Sequence, residues 1–420
     1  MKTINLKYTG NADLKDFIKL HNLIKEKNVF IQVFSGLFFK DIVKNVSSIL
    51  KEELPQSHII GTSTNGEIIN GSAITNSIII SFSVFENVEL KSTHLDFNQE
   101  KKVKKNYDEI FSEIINDKTK LIIIFSDWLT PQMEEVLENF HKFRPDIFIG
   151  GGKAGDNLKY KDCFVFNDKG IIDRGFVAVS FSADKFFVNN LYNFGWLEIG
   201  PPLKITRSKD ITIYEINGEK AVDAYRRYLG EEVADNLDKC GVEYPLILEK
   251  NFRKIAKCPI IVDADGSITV SGIIKEGEMV RFGIGNMDYI LNYAHLLFNS
   301  VVRCCPVESI FLYSSGSRRV VMGEDINSRL ILFQSLATTA GFFGNTQFFH
   351  DENNNYCFNL TSVGLVLSEK EEKLSSNKII NLNKKKIIRN KENYTLFNII
   401  ENLQREFSKE IERLKKENKK

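Results

Sequence analysis

The first half of the chain contains an internal repeat, and this feature limits the possible fold more than any other. Each copy runs from an apolar strand through an amphipathic helix to a glycine-bearing loop, and ends with another apolar strand. The two loops, residues 61–67 and 150–156, share the pattern G-x-x-x-x-G followed by an acid, at a constant offset of 89 residues. Apolar strands that alternate with helices predict sheets covered by helices, and hence an α/β or α+β domain over residues 25–195.

The second half has a different residue pattern. A stretch rich in proline and glycine, residues 195–202, separates it from the repeat. Apolar strand patterns, a helix that ends before Gly230 and a hairpin signal at residues 263–266 follow. We therefore expect a separate α+β domain over residues 196–368, without a copy of the repeat.

Residues 369–420 form a basic tail. From residue 370 onward the chain has fifteen Lys or Arg and eight Asp or Glu, a net charge of +7, whereas the whole chain of 420 residues has a net charge of +1. Apolar residues recur at intervals of three or four over residues 396–414, which predicts an amphipathic helix. This helix either packs on its own domain or pairs with another chain as a signalling or homodimerisation helix.

Composition and the absence of known motifs exclude several classes of protein. The six cysteines form no C-x-x-C pair and no zinc spacing, so we expect reduced thiols and no metal. No apolar stretch approaches the roughly 20 residues of a membrane helix, and the balanced charge does not indicate a nucleic-acid partner. Neither a catalytic motif nor a cofactor fingerprint is complete. We therefore expect a cytoplasmic protein without a membrane span, a bound cofactor or catalytic residues.

The two repeated loops carry polar groups suited to a small ligand. The hydroxyl and amide groups of residues 62–65, beside backbone N–H groups next to glycine, suit a carboxylate. Glu67 and Asp156 offer the opposite charge for an ammonium group. Together these groups suit a zwitterion such as an amino acid. The alternative is a pair of tight turns whose side chains satisfy their own backbone.

A second polar segment follows an apolar strand of the second domain. Residues 314–319 place serine hydroxyls and two guanidinium groups at the end of that strand. Arg318 or Arg319 can clamp a carboxylate there through two hydrogen bonds. The alternative is that these arginines pair with surface carboxylates such as Glu324.

Several strings, in order along the chain, resemble the FIST family. Residues 60–68 and 151–156 are similar to the FIST N-terminal domain. Residues 195–202 and 213–230, followed by motifs near residues 265, 276, 341 and 359, are similar to the FIST C-terminal domain. The likeness extends over roughly residues 25–368. The candidate ligand-binding residues are Gly61, Thr62, Ser63, Thr64, Asn65, Glu67, Gly151, Gly152, Asp156, Trp196, Ser315 and Arg318.

The resemblance implies a sensory input module of prokaryotic signal transduction. Such a module binds a small polar ligand, for which amino acids are proposed, and signals to a downstream protein or domain. Two positions depart from the family pattern: Ser315 replaces a cysteine, and Thr346-Gln347 replaces Gly-Glu. Without that thiol, the resemblance implies no cysteine chemistry at this position. The alternatives are an enzyme that acts on a small polar substrate and a scaffold that uses its basic C-terminal helix.

Overall fold

The computed structural model describes residues 1–98, 107–128, 133–159, 161–285, 290, 297–301, 306–371 and 407. Within them the protein is a mixed α/β structure with four sheets, three of which have six strands each. The predicted fold class is therefore confirmed. The predicted helix at residues 396–414 lies outside the described residues, apart from Phe407.

The first unit of the fold occupies residues 2–85. Strands β2 and β3 of this unit are parallel and joined by helix α2, whose buried Val43, Val46 and Leu50 follow the spacing of one helix face. Strand β6 then returns antiparallel to β2, and β1 adds an edge strand to β6. The elements are β1 (Lys2–Lys7), α1 (Asn11–Leu20), β2 (Asn28–Ser35), α2 (Lys40–Glu53), β3 (His58–Ser63), β4 (Glu67–Ile69), β5 (Ser72–Ile74) and β6 (Ile78–Phe85), with a 3₁₀ turn at Leu23–Lys25.

The second unit repeats this order. Strands β8 and β9 are parallel, β12 returns antiparallel to β8, and β7 is the edge strand on β12. The strands β8 and β12 are almost entirely buried, as expected for strands covered on both faces. The elements are β7 (Glu89–Asp96), α3 (Tyr107–Ser112), β8 (Thr119–Ser126), α4 (Met133–Phe143), β9 (Phe148–Lys153), β10 (Val165–Asn167), β11 (Gly170–Ile172) and β12 (Gly175–Ser182).

An inserted domain interrupts the chain between the strand β13 (Phe187–Phe194) and the third unit. It contains the fourth sheet, and its apolar core also includes Phe349, Tyr356, Phe358 and Val363 of the third unit. Its elements are β14 (Trp196–Lys209), β15 (Thr212–Ile216), β16 (Glu219–Lys220), α5 (Ala221–Leu229), α6 (Glu231–Asp235), α7 (Leu237–Cys240), β17 (Leu246–Lys250), β18 (Arg253–Lys257), β19 (Pro259–Val262), β20 (Ile268–Val270) and β21 (Met279–Gly285).

The third unit, residues 309–368, has the strand order of the first two. Strands β22 and β23 are parallel, β26 returns antiparallel to β22, and β13 is the edge strand on β26. The expectation that the second half holds no copy of the repeat is therefore wrong at the level of strand order. The elements are β22 (Ser309–Ser315), α8 (Gly316–Met322), α9 (Asp325–Gln334), β23 (Thr338–Gly344), β24 (Thr346–Asp351), β25 (Asn354–Phe358) and β26 (Thr361–Ser368).

The three units are joined by a cyclic exchange of hairpins. The hairpin β4–β5 of the first unit extends the sheet of the third unit, by pairing β4 with β23. In the same way β10–β11 of the second unit extends the first sheet, and β24–β25 of the third unit extends the second sheet. Aromatic rings from the three sheets meet in one core, where Phe342 lies 5.5 Å from Phe34 and 5.3 Å from Phe125 between ring centroids.

Candidate functional site

The three units meet at three equivalent loops, each at the end of the second parallel strand. The N–H of Asn65 donates to the carbonyl of Phe343, that of Gly155 to Ser63, and that of Asn345 to Lys153, over 2.6, 2.9 and 3.1 Å. Each unit thus donates one hydrogen bond to another unit and accepts one, so the three bonds form a closed ring. The repeated loops that the sequence indicated belong to this junction.

Side chains reinforce the junction. Asn65 donates from Nδ2 to Oδ1 of Asn345 over 2.8 Å, and its own Oδ1 accepts from the N–H groups of Asp156 and Leu158. A Cβ atom on Gly155 would overlap the amide group of Asn65. The glycine that the sequence shows at position 155 is therefore needed for the close approach of two loops.

Most of the candidate loop residues are buried, and their polar groups bond to the protein itself. The hydroxyl of Thr62 donates to the carbonyl of Ser63, whose own hydroxyl accepts from the N–H of Phe164. The Asp156 carboxylate accepts from two N–H groups of the following loop. The closely packed glycines are Gly61, where a Cβ would overlap the Phe166 ring, Gly151, which has a φ of +116°, and Gly152, where a Cβ would overlap a carbonyl of Thr346.

Glu67 differs from its neighbours because one of its oxygens is not satisfied. Its Oε1 accepts from the hydroxyl of Thr64 over 2.5 Å, while Oε2 has no hydrogen-bond partner within the described part of the chain. Burial raises the pKa of Glu67 to about 8, against the opposing effects of the Thr64 hydrogen bond, a backbone hydrogen bond from Ser77 and the nearby Arg319 guanidinium. The carboxyl group is therefore mainly protonated at neutral pH.

Trp196 and Arg318 are in contact, and Arg318 follows the end of strand β22 along the chain. The Arg318 guanidinium is fully buried, and it donates to the carbonyls of Asn193 and Leu360 and to Oδ1 of Asn193. It also lies over the Trp196 ring, 5.8 Å from the centroid. Burial, together with the neighbouring Arg329, lowers the pKa of Arg318 well below its usual range. All the acceptors that hold this cation are neutral.

A cavity of about 90 Å³ lies between the inserted domain and the second and third units. Strands β8, β9 and β22 all end at it, and the ends of parallel strands are the usual position for a ligand in an α/β sheet. Its lining residues are Trp128, Glu134, Lys153, Ile211, Val242, Cys258, Ile260, Val270, Ser271, Gly272, Ser315, Ser317, Asn345, Thr346, Asn359 and Leu360.

The cavity brings charged and hydroxyl groups together. Glu134 pairs across the domain boundary with Lys257, whose Nζ is 3.5 Å from the carboxylate. Lys153 and the hydroxyl residues Ser315 and Ser317 also line the cavity, and all three are buried. Neither serine side chain hydrogen-bonds to another residue that the structure describes.

Reactive groups are less evident at the cavity. Burial raises the pKa of the Cys258 thiol to about 12, so this thiol stays protonated at neutral pH. Within the described ranges, no cluster of three His, Cys, Asp or Glu residues has the spacing to hold a metal ion.

Sequence reasoning identified Ser315 at this cavity but missed Glu134, Lys153, Lys257 and Ser317. Lys153 belongs to a repeated loop, and its position after three glycines was the available signal. Glu134 and Lys257 belong to segments that come together only when the inserted domain packs on the second unit, whereas Ser317 follows Ser315 in the polar segment of the third unit. The candidate residues thus divide between the loop junction and Glu67, the Arg318–Trp196 pair, and the cavity wall.

Comparison with known proteins places the chain in a class of sensory proteins. Residues 29–219 match the model of the FIST N domain, and residues 221–350 match that of the FIST C domain. The chain belongs to the FIST family, whose domains are known as sensory domains in signal transduction. No curated protein matches the chain significantly. In the part of the chain that the structure describes, no helix has both the length and the apolar character needed to cross a bilayer.

Proposed function

We propose that the protein senses a small polar ligand in the cavity between the inserted domain and the second and third units. The observation that supports this most is the pair of hydroxyl groups of Ser315 and Ser317, which line a cavity at the ends of three strands and hydrogen-bond to no residue that the structure describes. A hydroxyl group that lines a cavity can donate a hydrogen bond to a ligand held there, and two such groups lie close together in the chain. The amino-acid ligand expected from the sequence remains a prediction.

The strand order offers a route from this cavity to the tail. Strand β13 runs into the inserted domain at Trp196 and pairs along its full length with β26, which ends at Ser368 where the tail begins. Arg318 bonds to Asn193 on β13 and to Leu360 just before β26. A ligand that favours one position of the inserted domain would therefore change the strand pair that leads to the tail.

We retain the other expectations as proposals. Signalling to a downstream protein, or homodimerisation through residues 396–414, would use the tail. The proposed domains are residues 25–195, 196–368 and 369–420. The boundary at residue 196 is supported because strand β14 begins there and belongs to another sheet. Two strand pairings cross the proposed boundaries: β1 pairs with β6, and β23 of the third unit pairs with β4 of the first. A cytoplasmic location agrees with the unpaired thiols of Cys163, Cys240, Cys258 and Cys357.

The test is a thermal-shift screen of the full chain against amino acids, short carboxylates and their amides. A ligand at a hundred times its Kd should stabilise the protein by about 2.7 kcal/mol. The Ser315→Ala variant should lose the shift, whereas Ser328→Ala, at an exposed helix position, should keep it. If no compound shifts the melting temperature, the sensor proposal fails.

The screen also separates the sensor from the two alternatives. Turnover of a stabilising compound would indicate an enzyme. Deletion of residues 385–420 should leave ligand binding unchanged if the protein is a sensor, whereas a scaffold should lose its partner. Hydrogen exchange of residues 361–368 with and without ligand would then test the route through β26.

A further inference from the structure

Two histidines face each other where the hairpin of the third unit packs on the second unit. The ring centroids of His141 on helix α4 and His350 on strand β24 are 5.7 Å apart. His350 is buried, and the Phe148 ring of β9 lies 5.0 Å from its ring. Strand β24 pairs with β9 at Thr346 and Gln347. The end of β24 that carries His350 therefore contacts the second unit through side chains.

Hydrogen bonds fix the orientation of the His350 ring. Asn355 on β25 donates from Nδ2 to the Leu137 carbonyl of α4 over 3.1 Å, and its Oδ1 lies 2.8 Å from Nδ1 of His350. Since this oxygen accepts, Nδ1 carries the proton of the neutral ring, and Nε2 is the position for a second proton. Asn190 of β13 also donates to the His350 carbonyl over 2.9 Å. A second proton therefore places its charge inside a packed contact.

The charged groups around the pair compensate such a proton only in part. Burial lowers the pKa of His350, and the field of His141 acts in the same direction. Burial lowers the pKa of His141 as well. Asp351 and Asp146 act in the opposite direction on His350. Each of these acids already accepts from an arginine over 2.8 Å, Asp351 from Arg253 and Asp146 from Arg144.

We propose that His141 and His350 form a proton switch, in which acid loosens the exchanged hairpin β24–β25 from helix α4. Protonation of one ring places a charge in the contact, and protonation of both places two like charges 5.7 Å apart between ring centroids. In the loosened state both rings reach water, where histidine has its ordinary pKa of about 6.5. The free energy of opening therefore falls as the pH falls below that value.

The switch also reaches the candidate cavity. Glu134 in the first turn of α4 and Thr346 at the start of β24 both line the cavity, and the two histidines lie near the other ends of these elements. Loosening of the hairpin from α4 therefore changes the cavity wall. The proposal goes beyond the sensing of a ligand, because it names a proton as a second input and its test needs no ligand.

Cysteine labelling of the full chain with N-ethylmaleimide between pH 7.5 and pH 5.5, read by peptide mass spectrometry, measures the opening. Cys357 on β25 shares an apolar cluster with α4, whereas Cys258 lies between β18 and β19 of the inserted domain. Burial raises the pKa of both thiols to about 12, so the ratio of their labelling rates cancels the effect of pH on thiol chemistry. The ratio of Cys357 to Cys258 should rise about fivefold to tenfold on acidification. A constant ratio, whether both thiols stay protected or both are labelled faster, would overturn the proposal.

Variants test whether the two histidines cause the rise. His350→Gln should keep the ratio constant with pH, because glutamine does not titrate and its amide group can still donate to Asn355. His141→Gln should reduce the rise, because His350 then faces no like charge. The control His58→Gln removes a histidine of β3 whose pKa burial also lowers, and it should show the full rise of the parent chain. Circular dichroism shows whether each variant is folded. A folded His350→Gln or His141→Gln chain with the full rise would overturn the proposal.

Discussion

Replacement of Glu67 by glutamine should stabilise the protein at neutral and alkaline pH, although it removes a charged residue type from a buried site. Glu67 is fully buried, and burial raises its pKa from 4.5 to about 8. Between these two values the folded state holds a proton on Glu67 that the unfolded state has released. Stability therefore falls as pH rises from about 4.5 to about 8, and is constant outside that window for this group.

The size of the effect follows from the difference between the two pKa values. One pKa unit corresponds to about 1.4 kcal/mol, so Glu67 costs about 3 kcal/mol at pH 7 and about 5 kcal/mol above pH 8, relative to its contribution below pH 4.5. Glutamine has no proton to hold, so the variant should lack this pH dependence. Its Oε1 can still accept from the Thr64 hydroxyl, and its amide group replaces an oxygen that already has no described partner.

The assay is urea unfolding of the parent chain and Glu67→Gln between pH 5 and pH 9, followed by the fluorescence of Trp128 and Trp196. The difference in unfolding free energy between the two chains cancels the titration of all other groups. It should change in favour of the variant with a slope of about 1.4 kcal/mol per pH unit up to about pH 8. The matched control Glu52→Gln, at an exposed helix position, should show no such slope.

The opposite result would refute the reasoning. If Glu67 is ionised and paired with Arg319 in the folded protein, Glu67→Gln destabilises it at pH 8 by removing that pair. A free-energy difference that does not depend on pH would equally contradict a proton held on this carboxyl group.

Three further results are expected. Gly155→Ala should cost about 1–3 kcal/mol of unfolding free energy by overlap with Asn65, and Asn65→Ala should relieve part of this cost in a double-mutant cycle; simple additivity of the two would contradict the overlap. Burial lowers the pKa of His350, so the folded state resists protonation and stability should fall below about pH 6.5; His350→Gln should reduce this acid sensitivity in pH-dependent melting. Burial raises the pKa values of Cys258 and Cys357 to about 12, so iodoacetamide should label them only on unfolding, and rapid labelling of the native protein would show that they are accessible.

Sequence patterns predicted the local elements of the repeat because those patterns are local. Residues 121–125 are a continuous apolar run, and residues 29–34 are apolar except for Gln32; both patterns indicated strands, and both segments are strands. The paired glycines of the two loops also indicated close backbone approach, and at Gly155 the approach is to Asn65. What the pattern could not provide was the partner of each loop, since that partner belongs to another unit.

The third unit was missed because its resemblance to the others is in strand order and not in residue pattern. Its parallel strands are separated by two helices, and its loop has Asn345 and Thr346 where the first loop has Asn65 and Gly66. The strand β4, with Glu67, pairs with β23 across more than 250 residues. Pairing at such distance depends on which sheet edges are left open after local folding, and hydrophobic periodicity carries no information on this.

The sequence by itself determined the class of fold, the duplicated loops and the membership of the chain in a sensory family, because these depend on residue types at fixed local spacings. Only the tertiary structure decided that the loops interlock three units and that Thr62, Ser63 and Asp156 bond to the protein itself. It also decided that Ser315 shares a cavity with Lys153 and Glu134. The physical reason is that the hydrogen-bonding groups of a buried loop or an open sheet edge can pair with any segment that reaches them, whatever its distance along the chain.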